Sequence, residues 1–362
     1  MKVTSIALFA HGVAVTPATA TSAVLFSPLL STVGVVLYER WQGSAANLNL
    51  WKCSFASLLF AGVVLCGSRA PLATIAEAVA PSHVVTRMLI LSSFLGIVVG
   101  DLLWLQALKL LGARMTILQA TLQPVLAAFA GALFLNQPLA PSTGLSVLAV
   151  CGGLALTQTA KVPAAADADE DAEEARTTLV SDTTLDGGRG SRGADDASRG
   201  SRRKLLLGSA LNLLNFGFDT TGAVLTRRYG QGLTTWQINM VRFGSGALMT
   251  LLGLVAINVW SAFARPDEPS PEWASLVPVQ PAEVWAVAAC GALLVTFLSS
   301  ALANYALFGL PLGIWSALSS LGPVWSIPVL YAVRRERTSK RGVLGAALAV
   351  TGAAACSMVA RK

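Results

Sequence analysis

The chain has 362 residues, 54% hydrophobic and only 12% charged, with a net charge of +7. A soluble domain carries about twice that charged fraction, so this composition excludes an ordinary soluble enzyme and fits about ten membrane spans of roughly 20 residues each. The basic residues fall at span ends and in loops, where they set topology; a nucleic-acid partner is not expected, and the lipid bilayer is.

Residues 1–20 admit two readings. Lys2, an apolar run over 6–15 and Ala18-Thr19-Ala20 make a signal peptide with an A-x-A site, or the segment is the run-in to the first helix. Predicted spans follow at 22–38, at 48–66 with Lys52 near its start, at 88–108 with Asp101, at 116–135 with Pro124, and at 142–157. Prolines inside spanning helices remove a backbone hydrogen bond and kink them. Residues 161–204, with DADEDAEEAR and GGRGSRGADDASRGSRR, are too polar to offset chain entropy and read as a disordered linker. The pattern then resumes, with spans at 205–225, 236–255, 284–307, 314–333 and 342–359. The basic run RRERTSKR separates the last two.

The two halves, 21–160 and 205–362, are copies. At an offset of 199 residues Ala107 lands on Ala306, Leu122 on Leu321, Pro124 on Pro323 and Gly153 on Gly352, which is the signature of duplication. LYERW at 37–41 resembles LTRRY at 225–229, and NLWK at 49–52 resembles NMVR at 239–242. Five spans per half is an odd number, so the halves must be inverted relative to one another. Secondary transporters use that arrangement, with a solute site near the bilayer midplane where the repeats meet. The fold class is therefore all-α integral membrane, multi-pass, as two inverted five-helix repeats.

Chemistry-bearing motifs are scarce. Cys53, Cys66, Cys151, Cys290 and Cys356 lie in predicted spans without CxxC spacing and act as small apolar residues. The two histidines, His11 and His83, form no metal pattern, and HExxH, GxSxG and Walker loops are missing. No cofactor, no metal and no enzymatic activity are expected.

Charges within spans are costly and normally face a cavity or a partner. Lys52 and Arg242 are candidate anion contacts or ion-pair partners, and Asp101 and Asp219 candidate proton carriers. For Lys52 the plainer alternative is snorkelling to the interface. Asn212, Asn215 and Asp219 share one face of the sixth span, and Thr116, Gln119 and Gln123 one face of the fourth. Each stripe lines a cavity or hydrogen-bonds between helices. Asn304 and the aromatics Trp104 and Tyr305 complete the candidate solute-binding set, the aromatics with interfacial anchoring as the alternative. Pro124 and Pro323 are the expected kinks. Gly144, Gly152, Gly153, Gly345 and Gly352 are expected to let helices pack closely.

Two five-helix repeats with Pro124 and Asn136-Gln137, then Pro323 and Glu336, each followed by a Gly/Ala-rich span over 144–153 and 342–352, resemble the EamA-like branch of the drug/metabolite transporter superfamily. One departure is Asn136-Gln137, where that family usually has an acid. The resemblance implies a ten-helix carrier of small organic solutes working by alternating access, with both termini cytoplasmic. Loop charge points the other way, with 17 basic residues in the odd loops against 7 in the even loops and termini. Eight of the 17 belong to the linker, and the family orientation is preferred. The expected function is secondary transport of a small metabolite, proton-coupled or by exchange. The alternatives are an obligate exchanger of sugar nucleotides or phosphorylated metabolites, and a non-transporting scaffold that recruits partners through the linker. The oligomeric state stays open between monomer and homodimer.

Overall fold

The structure, a computed structural model, describes residues 15–38, 40–67, 75–76, 84–138, 140–159, 190–264, 271–334 and 339–360. Residues 1–14, both histidines, most of the linker and Glu336 lie outside these.

The described residues are helical almost throughout. The first half contains α1 (Pro17–Tyr38), α2 (Ala45–Gly67), α3 (Val84–Ser93), a π-helical segment (Phe94–Gly100), α4 (Asp101–Ala120), α5 (Gln123–Leu135) and α6 (Pro141–Thr159). The second contains α7 (Gly190–Tyr229), α8 (Thr235–Ala264), a 3₁₀ turn (Glu272–Ala274), α9 (Ala282–Ala292) and a second π segment (Leu293–Ser299). It closes with α10 (Ser300–Gly309), α11 (Leu312–Ser319), α12 (Gly322–Arg334) and α13 (Lys340–Val359).

Among the described residues, seven helical runs are long and apolar enough to cross a membrane: Pro17–Tyr38, Ala45–Gly67, Val84–Trp104, Thr235–Ala264, Ala282–Gly309, Leu312–Val329 and Lys340–Val359. Gln123–Leu135 and Pro141–Thr157 are shorter apolar helices. The remaining expected span lies in α7, whose Asn212, Asn215 and Asp219 lower its hydropathy. The chain is an integral, multi-pass membrane protein.

The duplication carries into backbone detail. The two π segments are 199 residues apart, as are the turns at 121–122 and 320–321 that interrupt the fourth and ninth spans. A π segment disturbs the i→i−4 ladder, and side chains take up carbonyls in both. Asn49 Nδ2 donates to Ile97 O at 3.3 Å, and Ser300 Oγ to Val295 O at 3.3 Å.

Pro124 and Pro323 do not kink continuous helices. Each is the second residue of a new helix, α5 or α12, just after the turn, where the missing N–H has no intrahelical partner to lose. Prolines inside helices are instead Pro28 of α1 and Pro328 of α12. The expected break between the third and fourth spans is also missing, since α4 runs from Asp101 to Ala120. At the same repeat position α10 stops before Pro311, whereas the first half has Gly112. A glycine weakens a helix by about 1 kcal/mol, while proline costs about 3 kcal/mol.

Two other boundaries moved. The 190–204 stretch of the expected disordered linker is helical, continuing α7 backwards from Leu205. That stretch holds no proline, and propagating a nucleated helix is cheap. Ala18-Thr19-Ala20 lies within α1, with Ala20 fully buried.

Packing follows the pseudo-symmetry. α6 lies along α13 and α2 along α8, so these elements meet their own repeat mates, while α5 lies along α11, the element before its mate α12. α1 packs on the α9–π–α10 span of the other half, and α7 on the α3–π–α4 span. The α6–α13 contact is backbone-close. A Cβ on Gly153 would sit 2.3 Å from Ala349 N, and one on Gly345 2.5 Å from Thr157 N. Gly352 is equally confined, by Val150 N at 2.6 Å, but Gly144 and Gly152 face open space. Three of the five expected packing glycines therefore serve that purpose.

Candidate functional site

Two chambers adjoin at the meeting of the repeats, and Asp219 and Trp315 line both. The first encloses about 240 Å³ and draws walls from both halves. Lys52 of α2, Gly96 and Ile97 of the first π segment, and Asp101 come from one half. Arg242 of α8, Thr296 of the second π segment, and Ser300 and Asn304 of α10 come from the other.

All four charged candidates converge on this chamber, but in two different states. Lys52 Nζ donates to Asp101 Oδ2 at 2.9 Å, an ion pair between α2 and α4. Lys52 is therefore held by a partner and does not snorkel. Arg242 and Asp219 both approach Gly96. A methyl group there would lie 3.6 Å from both Arg242 Nη2 and Asp219 Oδ1. The other carboxylate oxygen, Asp219 Oδ2, accepts from Gln123 Nε2. Arg242 Nε is buried without a hydrogen-bond partner. A guanidinium with an open donor, opposite a carboxylate it does not grip, can take an anionic group.

Asn304 lines the chamber and donates to Asn239 Oδ1, while Asn239 Nδ2 is buried and unpartnered. Asn239 is the repeat counterpart of Asn49, whose amide found a carbonyl in the first π segment. The NLWK/NMVR match pointed to it, but the sequence alone did not mark it as a site residue. Thr296 and Ser300 were also missed. They are hydroxyls in an otherwise apolar window, a pattern shared with many helices that bond only to themselves.

Other candidates lie elsewhere. Asn212 is fully buried and donates to Thr116 O at 3.1 Å and Gln119 Oε1 at 3.0 Å. Gln119 Nε2 in turn donates to Ser209 Oγ at 2.7 Å. These groups join α4 to α7 and do not line either chamber. Asn215 lies against Gly100, its Oδ1 3.2 Å from where a Cβ would sit. Tyr305 contacts Thr19 Oγ1 through its hydroxyl at 2.9 Å, and Trp104 is 38% exposed. Neither aromatic lines a chamber, and Trp315 takes the place expected of them.

The second chamber, about 320 Å³, sits at the paired helix breaks. Gln123 and Gly322, Thr121 and Ser320, and Ala120 and Ser319 all line it, and each pair is 199 residues apart. A third crevice of about 510 Å³, between α1, α12 and α13, has no charged lining group.

Helix ends near the site are tied down by side chains from elsewhere in the fold, one of them from the other repeat. Gln137 Oε1 accepts from Leu312 N at 2.7 Å, satisfying a free N–H at the start of α11. Asn136 makes the left-handed turn that brings it there, with φ of 51°. The polar pair that departs from the acidic pattern therefore still supplies an acceptor. Arg227 of α7 donates to the carbonyls of Leu307 and Leu310 at the end of α10. Among the described residues no three His, Cys, Asp or Glu side chains gather as metal ligands do.

The model of the EamA-like transporter family matches residues 23–159 and 208–358, one match per repeat. The chain belongs to the EamA-like transporter family, and is thus a membrane transporter of small molecules. No curated protein sequence matches it. Its fold is similar to that of a solved chain described as "Crystal structure of protein", at a TM-score of 0.62 and 16% identity. That likeness covers 95% of this chain and 98% of the other, and it concerns the fold alone.

Proposed function

We propose that the protein carries a small organic metabolite with an anionic group by alternating access, Arg242 binding the anion and Asp219 coupling its passage to a proton. The observation that carries this reading is the Arg242–Gly96–Asp219 arrangement: a cation and an acid facing one chamber between the repeats, close to each other but not paired. Intramembrane ionisable groups outside an ion pair are costly, and function is the usual reason for keeping them.

The first chamber's 240 Å³ falls below the roughly 300–1,000 Å³ of sites that enclose drug-sized ligands. This supports a small solute over a sugar nucleotide. Exchange of phosphorylated metabolites would favour two cationic contacts, and Lys52 is already held by Asp101. The test is metabolite flux in vesicles carrying the full chain, with Arg242→Gln and Asp219→Asn compared at equal membrane levels. Arg242→Gln is expected to abolish flux of anionic solutes. Asp219→Asn is expected to abolish its dependence on a proton gradient. Unchanged flux in both variants would sink the proposal. Deleting residues 162–199 is expected to leave transport intact, which a scaffold reading does not allow.

A further inference from the structure

We infer that the second chamber is a hydroxyl-binding subsite of the same transport site, so that the solute is a short carboxylate with a hydroxylated tail. This rests on the reading of Arg242 as the anion contact and adds to it what the rest of the solute must look like.

The chambers are joined by Asp219, whose two carboxylate oxygens face different ways. Oδ1 approaches Gly96, as Arg242 Nη2 does, and Oδ2 accepts from Gln123, which lines the second chamber. Trp315 forms the other common wall, fixed by its indole Nε1–H donating to Ala303 O at 2.8 Å. A solute gripped at its carboxylate by Arg242 therefore extends past an anionic acceptor and an aromatic face before reaching the second chamber. A tail rich in O–H donors suits that passage, because Asp219 accepts hydrogen bonds and repels further negative charge.

The second chamber continues the same chemistry. Ser316, Ser319 and Ser320 of the ninth span meet Thr121 and Gln123 of the fourth. Ser320 Oγ donates to Ser316 O at 2.8 Å and is satisfied within its helix. Ser319 Oγ is buried and has no partner. An unpaired buried hydroxyl is penalised unless something bonds to it, and the chamber beside it is where that partner would come from. No charged residue besides Asp219 lines this chamber, so neutral hydroxyls fit it better than a second ionic group.

The sequences of the halves explain why the subsite is one-sided. Ser319 is matched by Ala120 in the first repeat and Trp315 by Thr116. The hydroxyl and the aromatic wall are both contributed by the ninth span, while the fourth contributes Gln123 opposite Gly322. An asymmetric solute, acid at one end and hydroxyls at the other, fits that arrangement.

The experiment measures binding to the full chain in lipid nanodiscs, with D-gluconate and 6-hydroxyhexanoate as probes. They share length and charge, but the second lacks hydroxyls along its chain. Gluconate is expected to bind at least about ten-fold tighter. Ser319→Ala is expected to weaken gluconate about five-fold, the value of one hydrogen bond, and 6-hydroxyhexanoate by less. Arg242→Gln is expected to weaken both probes. Equal binding of the two probes, or an unchanged ratio in Ser319→Ala, overturns the subsite while a loss in Arg242→Gln keeps the anion reading. No effect of Arg242→Gln on either probe overturns the anion reading as well, and no binding of either probe to the parent chain overturns the solute class. Ser319→Cys repeats the comparison should the alanine variant lose the fold.

Discussion

Neighbouring glycines on α6 give a sharp test of how the two halves hold together. A methyl group added at Gly153 would sit 2.3 Å from Ala349 N and 2.7 Å from Gly345 O. Ordinary contacts need about 3.5–4 Å, so the shortfall exceeds about 1 Å, and both atoms belong to the backbone, which cannot rotate aside. Overpacking typically costs 1–3 kcal/mol, and the upper end, about 3 kcal/mol, applies where whole helices must separate. At about 2–4 °C of Tm per kcal/mol for chains of 150–250 residues, Gly153→Ala should melt about 6–12 °C below the parent. At Gly152, one residue earlier, a Cβ meets nothing within 4 Å, and Gly152→Ala should stay within about 2 °C on the same scale. Thermal unfolding of detergent-purified protein, followed by size-exclusion fluorescence, compares the two directly. Equal melting of both variants would refute the backbone-close packing of α6 on α13.

The Lys52–Asp101 pair makes a second test. Removing one partner of a fully buried pair costs 3–5 kcal/mol, but these side chains keep 23% and 35% of their exposure. Asp101→Asn should then destabilise by about 2 kcal/mol, with Lys52→Met/Asp101→Leu recovering most of the loss. A double variant no more stable than the single one in the same melting assay contradicts an ion pair with a holding role. Gln137→Leu should lower stability by about 1 kcal/mol by stranding the Leu312 N–H, whereas Gln137→Glu keeps the acceptor and should melt like the parent. Equal melting of the two would remove the helix-start role assigned to Gln137.

The repeat and its inversion were legible in the sequence because duplication leaves a fixed offset, and that offset also locates the π segments and helix breaks. The hydrogen-bond state of the polar stripes was harder to infer. A stripe on one span shows that its face turns inward, but not whether water or another stripe meets it. Here the stripes meet each other: Thr116 and Gln119 bond Asn212, and Gln123 bonds Asp219. The signal was available in their matched spacing, with Thr116 and Gln123 seven residues apart and Asn212 and Asp219 likewise. The four charged residues meet at one chamber, because burying charge in a bilayer leaves few other arrangements. What could not be inferred was which acid each base would face, since that depends on helix rotation about the π segments. The chamber built by Ser319 and Trp315 was hidden for a related reason. Serine in an apolar helix usually bonds its own backbone, as Ser320 does, and only the three-dimensional setting distinguishes Ser319.

The way the halves meet says something about where such a protein could have come from. α2 and α6 each touch their own counterpart, while the first span of each half reaches across to the other half's third. Those are the contacts a single five-span polypeptide would make with a second copy of itself inserted upside down. An ancestral gene of half this length could therefore have made a working pair from one product, provided it entered the membrane both ways up. Fusion then freed the copies to diverge, and the differences at Ala120/Ser319 and Gly112/Pro311 are changes that a symmetric pair could not have made on one side alone.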